Sequence, residues 1–312
     1  MNTGMNMEMN VLSKIKNILK KPSRVVLYVL AKPWINRFIP DKTFLKLEYR
    51  FVMGKKLNLK NPRTYNEKLQ WLKLYNRKDE YTMMADKYAV REYVEKNIGE
   101  EYLIPLIGVW DSVEEIDFDA LPHQFALKCN HTSGDGVIIC KDKSALDIEK
   151  TKKDLKKAMK TDFSLQNREW PYKNIKRKII AEKYMVDESG TQLKDYKFFC
   201  FNGEVKAMFV ATDRGVDTRF DFYDSEFNHL DILNGHENAV KPISKPEGFD
   251  EMLTLAEKLS AGLPHIRVDF YDINGKVYFG EVTFYHWSGF TPFEPEDWDY
   301  TFGSWIELPE KE

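Results

Sequence analysis

From about residue 124 onward, hydrophobic, β-branched and aromatic residues occur in short runs of the kind that form β-strands. Strands are predicted at residues 124–130, 137–140, 178–185, 195–201, 204–210, 267–273 and 276–283. Asn202-Gly203 and Asn274-Gly275 separate two pairs of these strands, and Asn-Gly is a strong signal for a tight hairpin turn. The pattern therefore predicts several antiparallel strand pairs.

Helical spacing dominates the stretch before these strands, so residues 41–120 are predicted to be mainly helical. Thr64, followed by Glu67 three residues later, forms a capping box at the start of a helix over residues 65–75. A second helix is predicted from about Met84 to Asn97, and a polar helix from Asp142 to Lys160.

The composition limits the classes of protein to which the chain can belong. A chain of 312 residues with 43% hydrophobic content can form two or three domains or subdomains. The net charge of −2 argues against bulk binding of nucleic acid. Three cysteines are too few and too scattered for a disulfide framework or a zinc site, which fits a cytoplasmic protein.

The N-terminal stretch has a composition of its own. Residues 1–10 have no periodicity and are predicted to be disordered, whereas residues 11–40 are basic and interleaved with apolar positions. The apolar run is too short to span a bilayer, and no cleavage site of a secretory signal is present. This segment would either lie on the anionic inner face of the membrane or pack on the body as a helical arm.

The most informative segment is the hairpin over residues 267–283, which carries Arg267, Asp269 and Glu281. A two-residue turn at Asn274-Gly275 would place the two carboxylates on opposite faces, because side chains alternate along a strand. We therefore predict a three-residue loop, residues 273–275, which pairs Asp272 with Lys276 and brings both carboxylates to one face. Such a face would suit a metal–phosphate site; the alternative is an ordinary hairpin with a solvated polar face.

A second candidate lies between the first two predicted strands. His131-Thr132-Ser133-Gly134-Asp135-Gly136 can direct backbone N–H groups toward phosphate oxygens, and Lys128 on the entering strand would add a point charge. The loop lacks the Gly-Lys-Ser/Thr ending of a Walker loop, and no helix follows directly. The loop is therefore neither a P-loop nor the phosphate-binding turn of a Rossmann fold.

Taken together, four motifs resemble the ATP-grasp superfamily, and within it the TupA-like group associated with teichuronopeptide and other bacterial surface-polysaccharide synthesis. They are Phe-Ala-Leu-Lys-Cys-Asn-His-Thr-Ser-Gly-Asp-Gly at 125–136, Ala-Glu-Lys-Tyr-Met at 181–185, Asp-Tyr-Lys-Phe-Phe-Cys-Phe-Asn-Gly at 195–203, and Arg-Val-Asp-Phe-Tyr through Glu-Val-Thr-Phe-Tyr at 267–285. The likeness extends from about residue 40 to the end. It implies two α+β subdomains that clasp a nucleotide, here residues 121–190 and 191–312, after the segments 1–40 and 41–120.

The resemblance also implies roles for individual residues. The catalytic residues would be Lys128, Lys197 and Arg267, which neutralise phosphate charge. ATP would be bound by Lys128, His131, Thr132, Ser133, Gly134, Gly136, Glu182, Tyr184, Met185 and Lys197, with Glu182 at the adenine amine. Asp269, Glu281 and Thr283 would hold Mg²⁺; many ATP-grasp enzymes have Asn at the last position, so a threonine there predicts a weaker second metal.

The implied activity is an ATP-dependent carboxylate–amine ligase that forms an amide through an acylphosphate. The carboxylate would belong to a uronic acid or a glutamyl chain, and the amine to an amino acid. His286 would lie on the acceptor side, as a structural histidine rather than as a base. Two other functions stay open, a glycosyltransferase with Asp117-Phe118-Asp119 or Asp297-Trp298-Asp299 as metal-binding triplet, and a phosphotransferase that acts on a sugar hydroxyl.

Overall fold

The protein is described here from a computed structural model that covers residues 32–134, 136–187, 193–213 and 217–311. The predicted disordered start, most of the basic N-terminal segment, Asp135 and residues 188–192 lie outside the described residues.

The described helices and strands alternate in groups along the chain. The helices are α1 (Pro33–Asn36), α2 (Asp41–Val52), α3 (Tyr65–Tyr75), α4 (Glu80–Ala85), α5 (Val90–Asn97), α6 (Ile148–Met159), α7 (Ser164–Asn167), α8 (Phe249–Ser260) and α9 (Asp297–Trp305). The strands are β1 (Leu106–Trp110), β2 (Phe125–Cys129), β3 (Val137–Cys140), β4 (Ile179–Lys183), β5 (Asp195–Phe201), β6 (Glu204–Thr212), β7 (Arg219–Tyr223), β8 (His229–Leu230), β9 (His265–Ile273) and β10 (Lys276–Thr283).

Short 3₁₀ turns connect several of these elements. They lie at Glu100–Tyr102, Val113–Glu115, Lys143–Ala145, Trp170–Tyr172 and His286–Gly289. The polar helix predicted from Asp142 thus divides into a 3₁₀ turn and α6. Each part has its own N-cap, because Asp142 accepts from the backbone N–H of Ser144 and Asp147 from that of Lys150.

The smaller sheet is antiparallel and has the order β1-β4-β2-β3. Its buried side chains, Phe125 and Leu127 among them, pack with Leu155 of α6 in a separate hydrophobic core. Strand β1 lies in the stretch that the sequence predicted to be mainly helical, and that prediction is wrong here. Residues 106–110 contain a glycine and do not alternate clearly, so their strand conformation depends on pairing with β4.

The larger sheet has the order β10-β9-β5-β6-β7-β8, and its paired strands are antiparallel. Helix α8 packs on β5, β6 and β9, while the N-terminal helices share the same hydrophobic core. Tyr65 of α3 is 1% exposed and makes edge contacts with Phe199, Phe201 and Phe302. Burial of one such ring contributes about 1.5–3 kcal/mol, so α3 is held firmly on the sheet.

Helix α3 begins as the sequence predicts. Thr64 accepts from the backbone N–H of Glu67, and the Glu67 carboxylate accepts from the backbone N–H of Thr64, which completes the capping box.

The single helix predicted from Met84 to Asn97 is wrong, because the structure has two helices there: α4 ends at Ala85 and α5 begins at Val90. The Asp86 side chain accepts from the backbone N–H groups of Tyr88 and Ala89, which favours a break over a continuous helix.

Candidate active site

Three neighbouring strands of the larger sheet carry a row of charged side chains. Lys197 on β5 pairs with Asp269 on β9, and Asp269 pairs with Glu281 on β10. Paired residues in adjacent strands point to the same face. On this face Asp269 therefore lies between Lys197 and Glu281, and Arg267 and Thr283 form the next pair of the same orientation along β9 and β10.

The turn that produces this row differs from the sequence prediction. Ile273 pairs directly with Lys276, so the loop is the two-residue turn Asn274-Gly275 and the predicted three-residue loop is wrong. Both turn residues have positive φ, 54° and 78°, as a type I′ turn requires, and this turn matches the twist of the strands.

The carboxylates nevertheless share one face, because the register shifts further along β10. Phe279 pairs with Phe270, whereas Glu281 pairs with Asp269, and Gly280 forms the bulge between them. A Cβ atom at Gly280 would lie 3.0 Å from the backbone oxygen of Asp269, so glycine allows the close approach of the two strands. The extra residue in β10 restores the alternation that the short turn would have inverted.

Asp269 is held by charge-assisted hydrogen bonds on both of its oxygens. Arg267 Nε donates to Oδ1 and Nη2 donates to Oδ2, each at 2.7 Å, and Lys197 Nζ donates to Oδ2. Asp195 lies 3.2 Å from the same ammonium group. Burial would lower the pKa of Arg267, but the adjacent Asp269 and Glu281 raise it, so the guanidinium stays charged.

Glu281 is the more accessible of the two carboxylates, with 32% of its side chain exposed. Burial would raise the pKa of Glu281, but the charges of Lys87, Lys197 and Arg267 hold it at about 2. Lys87 Nζ lies 3.4 Å from Glu281, and Arg267 Nη2 donates to Thr283 Oγ1 at 3.0 Å. This face thus offers ionised oxygen donors beside a neutral hydroxyl.

A second charged cluster lies on the smaller sheet. Ala126 pairs with Glu182, so Lys128, two residues further along β2, points to the same face. Lys128 Nζ donates to Glu182 at 2.6 Å, and Arg91 of α5 donates to the other oxygen at 3.4 Å and to the carbonyl of Ile104 at 3.1 Å. The sequence assigned Lys128 and Glu182 to different parts of a nucleotide, whereas the structure pairs them with each other.

Lys87 links Glu281 to the loop after β2. Its Nζ donates to the carbonyl of Thr132 at 2.9 Å, in addition to its ion pair with Glu281. The break between α4 and α5 positions it, because its backbone N–H donates to the Asn130 carbonyl and the Asp86 side chain accepts from Asn130. Sequence analysis missed Lys87 and Arg91, since cations in a predicted helix look like an ordinary solvated face.

The loop after β2 has an exposed tip and a buried base. Ser133 and Gly134 are exposed, whereas Thr132 is fully buried. Gly136 packs closely, because a Cβ atom there would lie 2.8 Å from Ala158 of α6 and 2.9 Å from Cys129. Tyr184 and Met185 follow the end of β4 and are half-buried.

His131 does not share the exposure of the loop tip. It is 2% exposed, and burial together with the charge of Arg177 lowers its pKa. The imidazole is therefore neutral and lies beneath the surface. The phosphate contact that the sequence assigns to His131 stays a prediction.

The segment after β10 forms the side of the site beyond Arg267. His286 Nδ1 accepts from Arg267 Nη1 at 2.7 Å, and its Nε2 donates to Asn234 Oδ1 at 2.9 Å. Burial and the charges of Arg267 and Lys197 lower the pKa of His286 well below its usual value. Both ring nitrogens are thus engaged, which agrees with the predicted structural role.

A buried polar cluster anchors the following turn. Lys73 Nζ donates to the Ser288 carbonyl at 2.8 Å, and the Ser288 hydroxyl donates to Glu169. Burial lowers the pKa of Lys73 to about 8 against the opposing charges of Glu169 and Glu48, and burial raises the pKa of Glu169. Trp287 and Ser288 have φ values of 48° and 54°, a left-handed conformation that these contacts hold in place.

The donor chemistry fits Mg²⁺ that arrives with a phosphate ligand. Within the described ranges, no group of three or more His, Cys, Asp or Glu side chains could form a complete metal cage. Mg²⁺ is usually bound by one or two carboxylates together with phosphates and water. Asp269 and Glu281 supply two carboxylates on paired strands, and Thr283 supplies a hydroxyl oxygen beside them.

The sequence agrees with this fold and site. A family model described as TupA-like ATPgrasp matches residues 67–307, which is well over half of the chain. The chain belongs to the TupA-like ATP-grasp family. Its α+β architecture, with a small and a large antiparallel sheet that each contribute charges, is accordingly an ATP-grasp fold.

The solved structures to which the chain is similar share little sequence with it. D-alanine–D-alanine ligase from Bacillus anthracis complexed with ATP is 17% identical, with 64% of this chain and 53% of that chain covered and a TM-score of 0.39. The ligase of the same name from Helicobacter pylori is 16% identical, with 78% and 69% covered and a TM-score of 0.40. The ADP complex of N5-carboxyaminoimidazole ribonucleotide synthetase is 13% identical, with 77% and 56% covered and a TM-score of 0.42.

The chain therefore spans between about half and two thirds of the length of these proteins, and TM-scores of this size carry no argument of their own. A comparison with curated protein sequences gives no match. In the part of the chain that the structure describes, no helix is long and apolar enough to cross a bilayer.

Both Asp-x-Asp triplets have structural roles. Asp117 accepts from the backbone N–H groups of Asp119 and Ala120 and so closes a local turn. Asp299 accepts from the backbone N–H of Asn66 and is buried between α9 and α3. Neither triplet offers a pair of free carboxylates, which removes the feature that would have favoured a glycosyltransferase.

Proposed function

We propose that this protein is an ADP-forming carboxylate–amine ligase that works through an acylphosphate and requires Mg²⁺. The observation that carries the proposal is the link made by Lys87 between the loop after β2 and Glu281. It brings together the loop after β2, which follows Lys128, and the carboxylates Asp269 and Glu281, in a chain of the ATP-grasp family. A site with fixed charges of both signs suits a nucleotide triphosphate bound with a divalent cation.

The proposed chemistry has two balanced steps. An oxygen of the substrate carboxylate attacks the γ-phosphorus of ATP, the bond to the β-phosphate oxygen breaks, and ADP leaves. The nitrogen of the amine then attacks the acylphosphate carbon, inorganic phosphate leaves, and a proton is lost from nitrogen to give the amide. Charge neutralisation and alignment are the main requirements of both steps, so no covalent enzyme intermediate is needed.

Each cluster has a role in this scheme. Lys128 and Lys197 would neutralise phosphate charge, and the backbone of residues 132–136 would cover the terminal phosphate. Arg267 would stabilise charge on the transferred phosphoryl group, because its guanidinium stays ionised beside Asp269. Asp269, Glu281 and Thr283 would hold Mg²⁺, which would supply positive charge against that of the phosphates.

The adenine end of the nucleotide would lie at β4. Glu182 would accept from the exocyclic amine, and the backbone near Tyr184 and Met185 would contact the ring edge. In the structure Glu182 accepts from Lys128 and Arg91. Nucleotide binding would therefore replace an internal ion pair with contacts to base and phosphate. Arg91 and Lys87 join the proposed phosphate-binding set, because they belong to the same charge clusters.

The substrate carboxylate would come from a uronic acid or a glutamyl chain, and the amine from an amino acid. The family resemblance supports bacterial surface-polysaccharide synthesis as the setting. The site would act in the cytoplasm, and residues 11–40 would hold the protein at the inner face of the membrane through their basic and apolar side chains.

The proposal is tested by ADP release from Mg²⁺-ATP in the presence of amino acids, with and without uronic-acid or glutamyl acceptors. Release should require both a carboxylate and an amine, and ¹⁸O in the carboxylate should appear in the released phosphate. The double variant D269N/E281Q should lose turnover, whereas E149Q/D154N, which removes two exposed carboxylates from α6, should keep it.

Two outcomes would contradict the ligase. ADP release that needs a sugar hydroxyl but no amine, without ¹⁸O transfer, would indicate the phosphotransferase. Transfer from a nucleotide sugar without any ATP turnover would indicate a glycosyltransferase.

A further inference from the structure

Helix α3 of the N-terminal region contacts the segment after β10 through two buried polar side chains, Gln70 and Lys73. Both residues are 0% exposed. Gln70 Nε2 donates to the carbonyls of Ser288 and Gly289 at 2.9 Å each, and Lys73 Nζ donates to the same Ser288 carbonyl at 2.8 Å. The proposed ligase chemistry has so far given these two residues no role.

The ammonium group of Lys73 is held in one place by several contacts. Besides the Ser288 carbonyl, its Nζ donates to Gln70 Oε1 at 3.1 Å and to the Asn167 carbonyl at 2.9 Å. It also lies 5.5 Å from the centre of the Tyr285 ring and 4.8 Å from that of Phe290. A buried ammonium group is costly unless its donors are satisfied, and an apolar side chain would pack between these rings at lower cost. Directed hydrogen bonds fix the position of the backbone they contact, which apolar packing does less well.

The turn at residues 287–289 needs such support. Trp287, Ser288 and Gly289 have φ values of 48°, 54° and 64°, and the left-handed region is unfavourable for residues that carry a Cβ atom. Gly289 allows α3 to approach, because a Cβ atom there would lie 2.5 Å from Gln70 Nε2. Backbone held in this region keeps its shape through the contacts that surround it.

His286 immediately precedes this turn and binds Arg267. Its Nδ1 accepts from Arg267 Nη1 at 2.7 Å, while Asp269 accepts from Nε and Nη2 of the same guanidinium. The plane of the guanidinium is thus held from two sides. A charged group that stabilises a transferred phosphoryl group is most effective when its direction is fixed before the reaction. A shift of the turn would move His286 and release one side of Arg267.

We propose that Gln70 and Lys73 are positioning residues for phosphoryl transfer: they hold the turn at residues 287–289, and the turn holds His286 against Arg267. The inference rests on the proposed function, in which Arg267 acts on the transferred phosphoryl group. It gives the N-terminal helical region a part in the reaction. Helix α3 would act through the turn and not through a contact with substrate.

The variants K73M and Q70M test this role, because methionine keeps an unbranched apolar side chain and removes the donors. The kcat of ADP release should fall by about tenfold or more in K73M, while the Kd of ATP from calorimetry stays within about twofold, since an interaction used only in the transition state lowers kcat without weakening binding. Q70M should lower kcat by about threefold or more, because Lys73 still donates to Ser288. Q70M changes no charge, so it serves if K73M fails to fold.

L255A is the matched control for lost stability. Leu255 of α8 is 3% exposed, and α8 covers the face of the larger sheet opposite Lys197, because Phe249 of α8 contacts Phe198. The cavity left by alanine should lower the melting temperature, and kcat should stay that of the original protein.

Nuclear magnetic resonance of the ¹⁵N-labelled full chain supplies a readout that needs no turnover. The Arg267 Nε–H signal, assigned by its loss in R267K, and the ring nitrogen signals of His286 should shift in K73M and Q70M. Both should keep their positions in L255A.

Folded K73M and Q70M with the kcat of the original protein would overturn the proposal, because the cluster would then serve stability alone. Equal losses of kcat and ATP affinity would also overturn it, since the cluster would then support the nucleotide pocket. If the original protein releases no ADP with any carboxylate and amine, the proposed reaction fails, and the resonance signals decide the positioning of Arg267 by themselves: unchanged signals in K73M and Q70M would refute it.

Discussion

The bulge at Gly280 decides whether the two carboxylates of the site face each other, and G280A is the smallest change that disturbs it. The backbone there is not left-handed, so alanine brings no backbone strain and only its Cβ contacts matter. That atom would lie 3.0 Å from the Asp269 carbonyl oxygen and 3.3 Å from the Tyr271 ring. The strands would have to separate by a few tenths of an ångström next to Asp269.

Overpacking of this kind costs about 1–3 kcal/mol of unfolding free energy. The same displacement moves Asp269 relative to Glu281. These two carboxylates pair with cations of the site, Asp269 with Arg267 and Glu281 with Lys87. A loss of about 1.4 kcal/mol in transition-state binding lowers kcat/KM tenfold, so we expect G280A to reduce kcat/KM for Mg²⁺-ATP by about tenfold or more. The Mg²⁺ concentration that gives half-maximal turnover should rise as well.

G262A supplies the matched control. Gly262 lies between α8 and β9 with φ of 76°, and a Cβ atom there meets nothing within 4 Å. Alanine in this conformation costs about 1–2 kcal/mol, a stability loss similar to that of G280A. Urea unfolding should therefore place both variants below the original protein, while only G280A loses ATP turnover. Equal turnover of G280A and G262A would refute the link between the bulge and the site.

Three further predictions concern charge. K128M should abolish detectable ATP binding by calorimetry without loss of fold, because the lost ammonium group is 19% exposed and its partner Glu182 keeps Arg91. Removal of divalent cations with EDTA should stop turnover and Mg²⁺ should restore it, because the site offers two carboxylates and no complete cage among the described residues. Glu281 has its pKa lowered from 4.5 to about 2, so its stabilising contribution is present above pH 4.5 and is lost as the pH falls toward 2. Solvent exposure reduces that contribution to about 1–2 kcal/mol, so unfolding of E281Q should depend less on pH in this window than unfolding of the original protein.

Local chemistry explains what could be predicted from the sequence. The capping box at Thr64, the strands β2, β3 and β5 and the tight turn at Asn202 all follow from residues within a few positions of one another. Propensity and turn chemistry act over that range, so their signals are present in the sequence itself.

The register of the hairpin over residues 267–283 could not be predicted from such local signals. Side-chain alternation predicted correctly that a two-residue turn alone would separate Asp269 from Glu281, but the correction comes from a bulge and not from a longer loop. Gly280 was visible in the sequence, yet its effect depends on how closely β9 approaches it. The same holds for β1, which is a strand because β4 lies beside it, and for Lys87, which is placed by Asn130 on another element.

The carboxylates of the site balance its lysines, and this has a consequence for nucleotide binding. Lys128 pairs with Glu182, Lys197 with Asp269 and Lys87 with Glu281. Without these pairs, the three lysines would repel one another and lower stability. Triphosphate and Mg²⁺ together carry charges of both signs, so they can replace the internal partners on each side at once. Nucleotide without metal would instead leave Asp269 and Glu281 beside phosphate, which makes the two ligands strongly coupled in binding.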